Sequence, residues 1–144
     1  MNVKTILATK GRNVVTIQPD RRIKEAVILL ARHNIGALVV VDEAQQIIGI
    51  LSERDITRRA AEQDDVMTVY VRELMTQSVI TALPQDDLHS VASVMTEKRI
   101  RHLPILDQGK LVGIVSIGDV VKIQRDLYKG EVDTLQTQLL ADET

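Results

Sequence analysis

The chain has 144 residues, a net charge of −2 and 44% hydrophobic residues, as expected for one ordinary folded domain or two very small ones. It has no cysteine, which excludes disulfides, a thiol nucleophile and a thiolate metal site. Acidic and basic residues are mixed along the chain, so general binding to nucleic acid or to an anionic membrane is not expected. No apolar run approaches the ~18 residues of a membrane span, and no signal-peptide core is present, so we expect a cytoplasmic protein.

Aromatic residues are almost absent, because the chain has only Tyr70 and Tyr128 and neither Phe nor Trp. The core must therefore consist of aliphatic side chains and methionine. A planar ligand would have to lie between aliphatic groups, and the aromatic platforms on which single-stranded nucleic acids stack are missing.

The first predicted elements are a short β-branched strand at 14–17, which stops at Pro19, and a helix after it. The apolar positions of this helix recur at helical spacing, at Ile23, Ala26, Val27 and Leu30. The continuous apolar run ALVVV (37–41) predicts a buried strand, and IIGIL (47–51) predicts its hairpin partner. A second helix is predicted to follow.

This order of elements then repeats. Residues 14–56 align with residues 79–120, with one deletion in the turn between the hairpin strands, and a matching helix places Leu88, Val91, Ala92 and Met95 at the same spacing. The identical pairs are Val14/Val79, Thr16/Thr81, Pro19/Pro84, Ile35/Ile100, Leu38/Leu103, Asp42/Asp107, Gly49/Gly113, Ile50/Ile114, Ser52/Ser116 and Asp55/Asp119.

The duplicated β-α-β-β-α order predicts an α/β fold with small mixed sheets. One unit of this size is too small to hold a core alone, so we expect the two repeats to pack about a pseudo-two-fold axis, with clefts where they meet. The predicted division is 1–62 for the first repeat with its N-terminal segment, 63–78 for a partly helical connector, 79–124 for the second repeat and 125–144 for a helical extension.

The C-terminal helix carries an apolar stripe, formed by Val121, Gln124, Tyr128, Val132, Leu135 and Leu139. Two interpretations are open. The stripe lies on its own domain, or it forms a dimer contact.

Two short motifs, GILSERD (49–55) and GIVSIGD (113–119), place Ser and Asp three residues apart where a strand meets a helix. Ser-x-x-Asp is a capping pattern, in which the Ser oxygen accepts a free backbone N–H. The same place also suits a ligand, because helix N-termini present N–H groups to phosphate and a carboxylate accepts the vicinal hydroxyls of a ribose. Recurrence in both copies favours a binding role beside the capping role.

The duplicated unit, the HLPIL strand and the closing Gly-h-h-Ser-x-x-Asp motif (h, apolar) resemble a tandem pair of CBS domains, a Bateman module, and in particular the small stand-alone bacterial proteins of that family. The resemblance covers residues 14–58 and 79–122. It implies that adenosine nucleotides bind between the repeats, AMP or NAD(H) first, with ATP, ADP or S-adenosylmethionine as further candidates. In such modules Asp holds the ribose, Ser or Thr holds phosphate, and adenine lies among aliphatic side chains.

Carried onto this sequence, the resemblance implies one set of nucleotide-binding residues in each repeat. The first set is Thr16, Ile17, Pro19, Ala37, Leu38, Val39, Ser52 and Asp55. The second set is Thr81, Ala82, Pro84, Leu103, Pro104, Ser116 and Asp119. A plainer explanation stays open for some of them, because threonines also favour strands and prolines also end them.

The two copies differ in the positive charge beside these motifs. Arg101 and His102 stand before the middle strand of the second copy, where the first copy has Gly and Ala. Arg binds phosphate oxygens in bidentate fashion, although two solvated surface side chains are the alternative. Arg54, inside SERD, supplies a cation to the first copy, with Arg58 one helical turn on as the weaker candidate. We therefore expect two inequivalent sites.

No catalytic motif is present, and the three histidines show no metal-ligand spacing. We expect a non-catalytic regulatory module without a catalytic cofactor or metal. It would be a homodimer through the helices of its repeats, and an unidentified partner protein would respond to the bound nucleotide. The alternative is a structural or protein-interaction module whose Ser-x-x-Asp motifs are only helix caps. A responder to nucleic acid or metal ions is disfavoured by the net charge of −2.

Overall fold

The structure, a computed structural model, describes residues 1–142, within which two α/β halves follow one another along the chain. A 3-10 turn at Val66–Thr68 lies in the connector. The helices and strands, in chain order, are α1 (Val3–Lys10), β1 (Thr16–Ile17), α2 (Ile23–His33), β2 (Ala37–Val41), β3 (Ile47–Ser52), α3 (Glu53–Glu62), α4 (Val71–Leu74), α5 (Leu88–Lys98), β4 (His102–Asp107), β5 (Lys110–Ser116) and α6 (Ile117–Asp142).

The first half contains a mixed three-stranded sheet in the order β1-β2-β3. Strand β1 pairs parallel with β2, which pairs antiparallel with β3. Every residue of β2 is buried, as its unbroken apolar run predicts. Helix α2 buries Ile23, Ala26 and Leu30 against this sheet, and Val27 is partly buried beside them, so the predicted helical stripe is confirmed.

The second half repeats this arrangement with one difference. Strands β4 and β5 form an antiparallel pair, and helix α5 buries Leu88, Val91 and Met95. The predicted strand at 79–81 is wrong, because only a single parallel bridge joins Ala82 to Ile105. The physical reason is Pro104, which faces this segment and has no amide hydrogen to donate, so the ladder cannot extend along it.

The segment that precedes each half packs against the other half. Helix α1, which the sequence reasoning did not predict, buries Val3, Ile6 and Leu7 in the core that contains Met95 and Leu103 of the second half. The amides of residues 3 and 4 donate to the carbonyls of residues 86 and 84, which fixes the start of α1 there. The connector is partly helical, as predicted, and its Val66, Val69 and Val71 complete the core of the first half.

Two glycines allow these crossed contacts. A Cβ at Gly113 would lie 2.5 Å from Leu7 Cδ2, and a Cβ at Gly49 would lie 2.6 Å from Met75 Sδ. Because the two glycines are equivalent in the repeat, the close approach of the preceding segment to β3 and to β5 is the same structural solution used twice.

The long C-terminal helix is confirmed, and it is continuous with the helix that the second Ser-x-x-Asp motif starts. The interpretation that its apolar stripe lies on its own domain is wrong for most of its length. Val121, Tyr128, Leu135 and Leu139 are all exposed, Tyr128 by 69%, and only Val132 of the stripe's apolar residues is half-buried. The last two residues of the predicted 125–144 extension lie outside the described residues.

Candidate functional site

Both Ser-x-x-Asp motifs form complete helix caps. The amide of Asp55 donates to Ser52 Oγ at 3.3 Å, and the amide of Ser52 donates to Asp55 Oδ2 at 2.9 Å. In the second half the matching bonds join Asp119 and Ser116, at 3.1 and 2.8 Å. Each Asp side chain is therefore held in a fixed position on the first turn of its helix, with its carboxylate at the end of a strand.

The first motif, together with Ser116 and Ile117 of the second, borders a large open cleft between the two halves. The cleft has a volume of about 690 Å³, which is within the range of small-molecule sites. Helix α3 begins in it, so the positive end of the helix dipole faces the cavity. The lining residues are Gly36, Ile50, Ser52, Glu53, Arg54, Asp55, Thr57, Arg58, Thr76, Ser78, Val79, Ile80, Arg99, Ile100, Arg101, His102, Ser116 and Ile117.

The cleft brings together residues from both predicted sets. It contains Ser52, Arg54, Asp55, Arg101, His102 and Ser116. The structure therefore does not group the candidates by repeat, because Arg101 and His102 of the second half line the same cleft as Asp55 of the first. His102 also belongs to strand β4 as its first residue, and does not stand before it.

The other candidates lie outside the lining of this cleft. Thr81, Ala82 and Leu103 line a smaller cavity of about 190 Å³ on the second half. Buried in the two halves are Ile17, Ala37, Leu38, Val39, Pro84 and Pro104, whereas Thr16 and Pro19 are half-buried. Asp119 is not among the residues that line the cleft, and its carboxylate contacts Lys10, as described below.

Sequence reasoning missed several residues that also line the cleft, among them Thr76, Ser78, Val79, Ile80 and Arg99. Thr76 exchanges two backbone hydrogen bonds with Ile50, of 2.8 and 3.0 Å, and so brings the end of the connector to the edge of β3. The usable signal was the duplication itself. Once two repeats face each other about an axis, the segment entering the second repeat must pass the strand end of the first.

The cleft has an excess of positive charge on a chain whose net charge is −2. Its four guanidiniums belong to Arg54, Arg58, Arg99 and Arg101, against the carboxylates of Glu53 and Asp55. Within residues 1–140 the ion pairs are Lys10–Asp119, Arg21–Glu25, Arg59–Asp65 and Arg125–Asp126. The four cleft arginines therefore have no carboxylate partner in this part of the chain, and they present their charge to the cavity.

His102 lies at the junction of the two halves, against Gly36 and beside Glu53. Burial lowers the pKa of its imidazole below the ordinary value, and the positive charge of Lys10 lowers it further. Glu53 and Asp119 oppose this shift without cancelling it, and Arg101 adds to it. The imidazole is thus held in its neutral form, from which an arriving anion can draw it into the charged form.

We expect this imidazole to make stability depend on pH. Because its pKa is lower in the folded than in the unfolded chain, neutral His102 stabilises the fold above about pH 6.5, and this contribution is lost as pH falls through the folded-state pKa. Urea unfolding should show a smaller loss of stability from about pH 7.5 to about pH 5 in His102→Gln than in the unmodified protein. The exposed His33 and His89, changed to Gln, are the controls. An unchanged pH dependence in His102→Gln would contradict the assignment.

The second motif has a different neighbour. Lys10, the last residue of α1, donates from Nζ to Asp119 Oδ2 at 2.6 Å and to the Ile114 carbonyl oxygen at 2.9 Å. Burial raises the pKa of the Asp119 carboxyl, but hydrogen bonds from Lys10 and Ser116 outweigh it, so its pKa lies below the usual value. The two Asp residues of the repeat therefore differ in what they contact.

The family model of the CBS domain matches the chain twice, at residues 3–62 and 71–126, and so covers most of both halves. The chain is a tandem pair of CBS domains. Its two matches include the crossed segments, since the first begins with α1 and the second begins with α4.

Proteins that contain CBS domains are similar to this chain. The CBS domain-containing protein YhcV of Bacillus subtilis is 36% identical over 118 residues, which cover 82% of this chain and 84% of that protein. The crystal structure of the CBS-domain containing protein ATU1752 from Agrobacterium tumefaciens is 40% identical with a TM-score of 0.83, covering 86% of this chain and 99% of that one. The CBS domain pair of protein MJ0100 is 32% identical with a TM-score of 0.77, covering 91% and 98% respectively.

The structure of the MJ0100 pair contains 5′-methylthioadenosine and S-adenosyl-L-methionine. In the CBS pair described here, no helix among residues 1–142 is long and apolar enough to cross a membrane. The same residues hold no group of three or more His, Cys, Asp or Glu side chains placed to share a metal ion.

Proposed function

We propose that this CBS pair is a non-catalytic regulatory module that binds an adenine nucleotide in the cleft beside Asp55. The observation that supports the proposal is the arrangement of that cleft, in which the Ser52–Asp55 helix start of one half faces the cationic strand start of the other. A cleft between repeats is also a position from which a ligand can change how the two halves pack.

The polar groups of the cleft match the parts of a nucleotide. Asp55 Oδ2 already accepts two hydrogen bonds from Ser52, one from its amide and one from its hydroxyl. Within the described residues Oδ1 accepts none, so the carboxylate keeps acceptor capacity for the vicinal hydroxyls of a ribose. The adenine would lie among the aliphatic side chains that line the cleft, which are those of Ile50, Val79, Ile80, Ile100 and Ile117.

The unpaired arginines favour a ligand that carries phosphate. Guanidinium groups bind phosphate oxygens in bidentate geometry, and each such bond is stronger because both partners are charged. The neighbour MJ0100 was crystallised with adenosine ligands that lack phosphate, so the shared part of the ligand is the adenosine. For this chain we propose AMP or NAD(H) first, and ATP or ADP next, ahead of S-adenosylmethionine.

The direct test is calorimetric titration of the purified protein with AMP, ATP, NADH and S-adenosylmethionine. We expect at least one of the phosphate-bearing nucleotides to bind, and S-adenosylmethionine to bind more weakly than that nucleotide because it offers no phosphate to the arginines. Absence of binding by all four compounds would overturn the proposal. Tighter binding of S-adenosylmethionine than of every nucleotide would overturn the preference for phosphate.

A second candidate function follows from the completeness of the two helix caps. Because Ser52 and Ser116 already satisfy helix amides, the motifs have a structural role without any ligand. The chain would then be a structural or protein-interaction module, and its exposed α6 side chains would serve contacts with other proteins. Three further proposals are compatible with both candidate functions: a homodimer, a regulated partner protein and a cytoplasmic location.

A further inference from the structure

Lys10 occupies, in the second half, a position that a backbone group occupies in the first. In the first half the Ile50 carbonyl oxygen accepts a hydrogen bond of 2.8 Å from the amide of Thr76. Ile114 is the equivalent of Ile50 in the repeat, and its carbonyl oxygen accepts a bond of 2.9 Å from Lys10 Nζ. The side chain of Lys10 thus replaces a main-chain bridge at the edge of the strand and places an ammonium group there.

The difference arises from the length of the preceding segment. Helix α4, which precedes the second half, ends at Leu74, so the chain reaches the edge of β3 as extended backbone. Helix α1 has twice the length of α4, and its last turn carries Lys10 to the edge of β5. The helix that carries Lys10 is held in place, because Ile6 and Leu7 on the same helix are buried in the second core.

The ammonium of Lys10 also satisfies the residue that a nucleotide would need. Its Nζ lies 2.6 Å from Asp119 Oδ2, and this carboxylate is three-quarters buried, with 25% of its side chain exposed. No such cation contacts Asp55, since the ion pairs within residues 1–140 leave that carboxylate unpaired. A ligand that approached Asp119 would have to displace an intramolecular donor first.

From this geometry we infer that Lys10 decides which of the two Ser-x-x-Asp sites takes a ligand, by closing the Asp119 site and leaving the Asp55 site open. The inference rests on the proposed nucleotide binding. It adds that the protein binds one nucleotide per chain, and that the second site needs only the removal of one side chain to become available.

The experiment compares the number of AMP and ATP molecules bound per chain in calorimetric titrations of four proteins. The unmodified chain and Lys4→Met should each bind one nucleotide, because Lys4 is exposed on the same helix and forms no ion pair within the described residues. Lys10→Met should bind two, and Lys10→Met combined with Asp119→Asn should return to one. A second measurement needs no ligand. Lys10→Met should raise the pKa of Asp119, and NMR of the Asp119 carboxyl carbon measures that pKa in both proteins.

The outcomes separate this inference from the proposed function. Two nucleotides bound by the unmodified chain, or one bound by Lys10→Met, would overturn the role of Lys10 and leave the proposed function standing. An Asp119 pKa that Lys10→Met does not change would show that the contact is absent in solution, and would overturn the role of Lys10 as well. Failure of all four proteins to bind either nucleotide would overturn both proposals.

Discussion

Replacing Asp55 with Asn should lower the affinity for the bound nucleotide by about 10- to 100-fold, because hydrogen bonds to a charged group are worth about 1.5–3 kcal/mol. When the Asn oxygen accepts from the amide of Ser52, as Asp55 Oδ2 does, the other polar atom of the side chain is an NH2 group, which only donates, so the free acceptor for the vicinal hydroxyls of a ribose is lost. The helix cap survives the change, since the side-chain oxygen of Asn can still accept from the amide of Ser52. Calorimetric titration with the nucleotide that the unmodified protein binds gives the affinity.

The unfolding free energy makes this result specific to binding. Asp55→Asn should change it by less than about 1 kcal/mol, because one capping acceptor is kept. Asp64→Asn is the matched control, since Asp64 is an exposed carboxylate outside the cleft lining. Equal affinities for Asp55→Asn and the unmodified chain would support the alternative in which the motifs are helix caps alone.

Leu7→Ala should destabilise the protein by about 2–5 kcal/mol, the range for deleting a buried leucine side chain from a core. Leu7 is 1% exposed and lies between α1 and the second half, where its side chain fills the space over Gly113. The cost should be in the upper part of this range if the cavity cannot close, because Val3 and Ile6 of the same helix are buried in the same core and hold α1 in place. Chemical denaturation of the intact chain measures it.

The control for this prediction is Leu83→Ala, in which the same atoms are removed from a side chain that is 43% exposed. It should cost less than about 1 kcal/mol, as surface substitutions do. If Leu7→Ala lowered the unfolding free energy by less than about 1 kcal/mol, α1 would not belong to the core of the second half.

Much of the fold could be predicted because repetition and periodicity both point to the same elements. The unbroken apolar run of β2 and the helical spacing of Ile23, Ala26 and Leu30 are local signals that burial then confirms. The strand at 79–81 failed because its formation depends on a partner, and Pro104 on that partner removes an amide that no local pattern at 79–81 reveals. Helix α1 was missed although Val3, Ile6 and Leu7 have helical spacing, since three apolar positions are a weak signal.

The sequence predicts the kind of candidate site, but only some of the residues that form it. The motif positions of Ser52 and Asp55 follow from the duplication, because each repeat must place them at a strand end. Which distant residues lie near them depends on how the halves pack, and this packing places Arg101 in the same cleft as Asp55 and brings Lys10 into contact with Asp119. The Lys10 contact joins residues 109 positions apart, and no spacing rule reaches that far.

The crossed segments tie the two CBS domains into one folding unit. Because α1 completes the second core and the connector completes the first, neither half has a whole interior of its own. A chain cut between the repeats would give two fragments that each expose an unfilled groove. The repeat boundary that the sequence shows therefore does not separate two independently stable domains. The consequence is mechanical: a ligand that moves one half also moves the segment that fills the interior of the other.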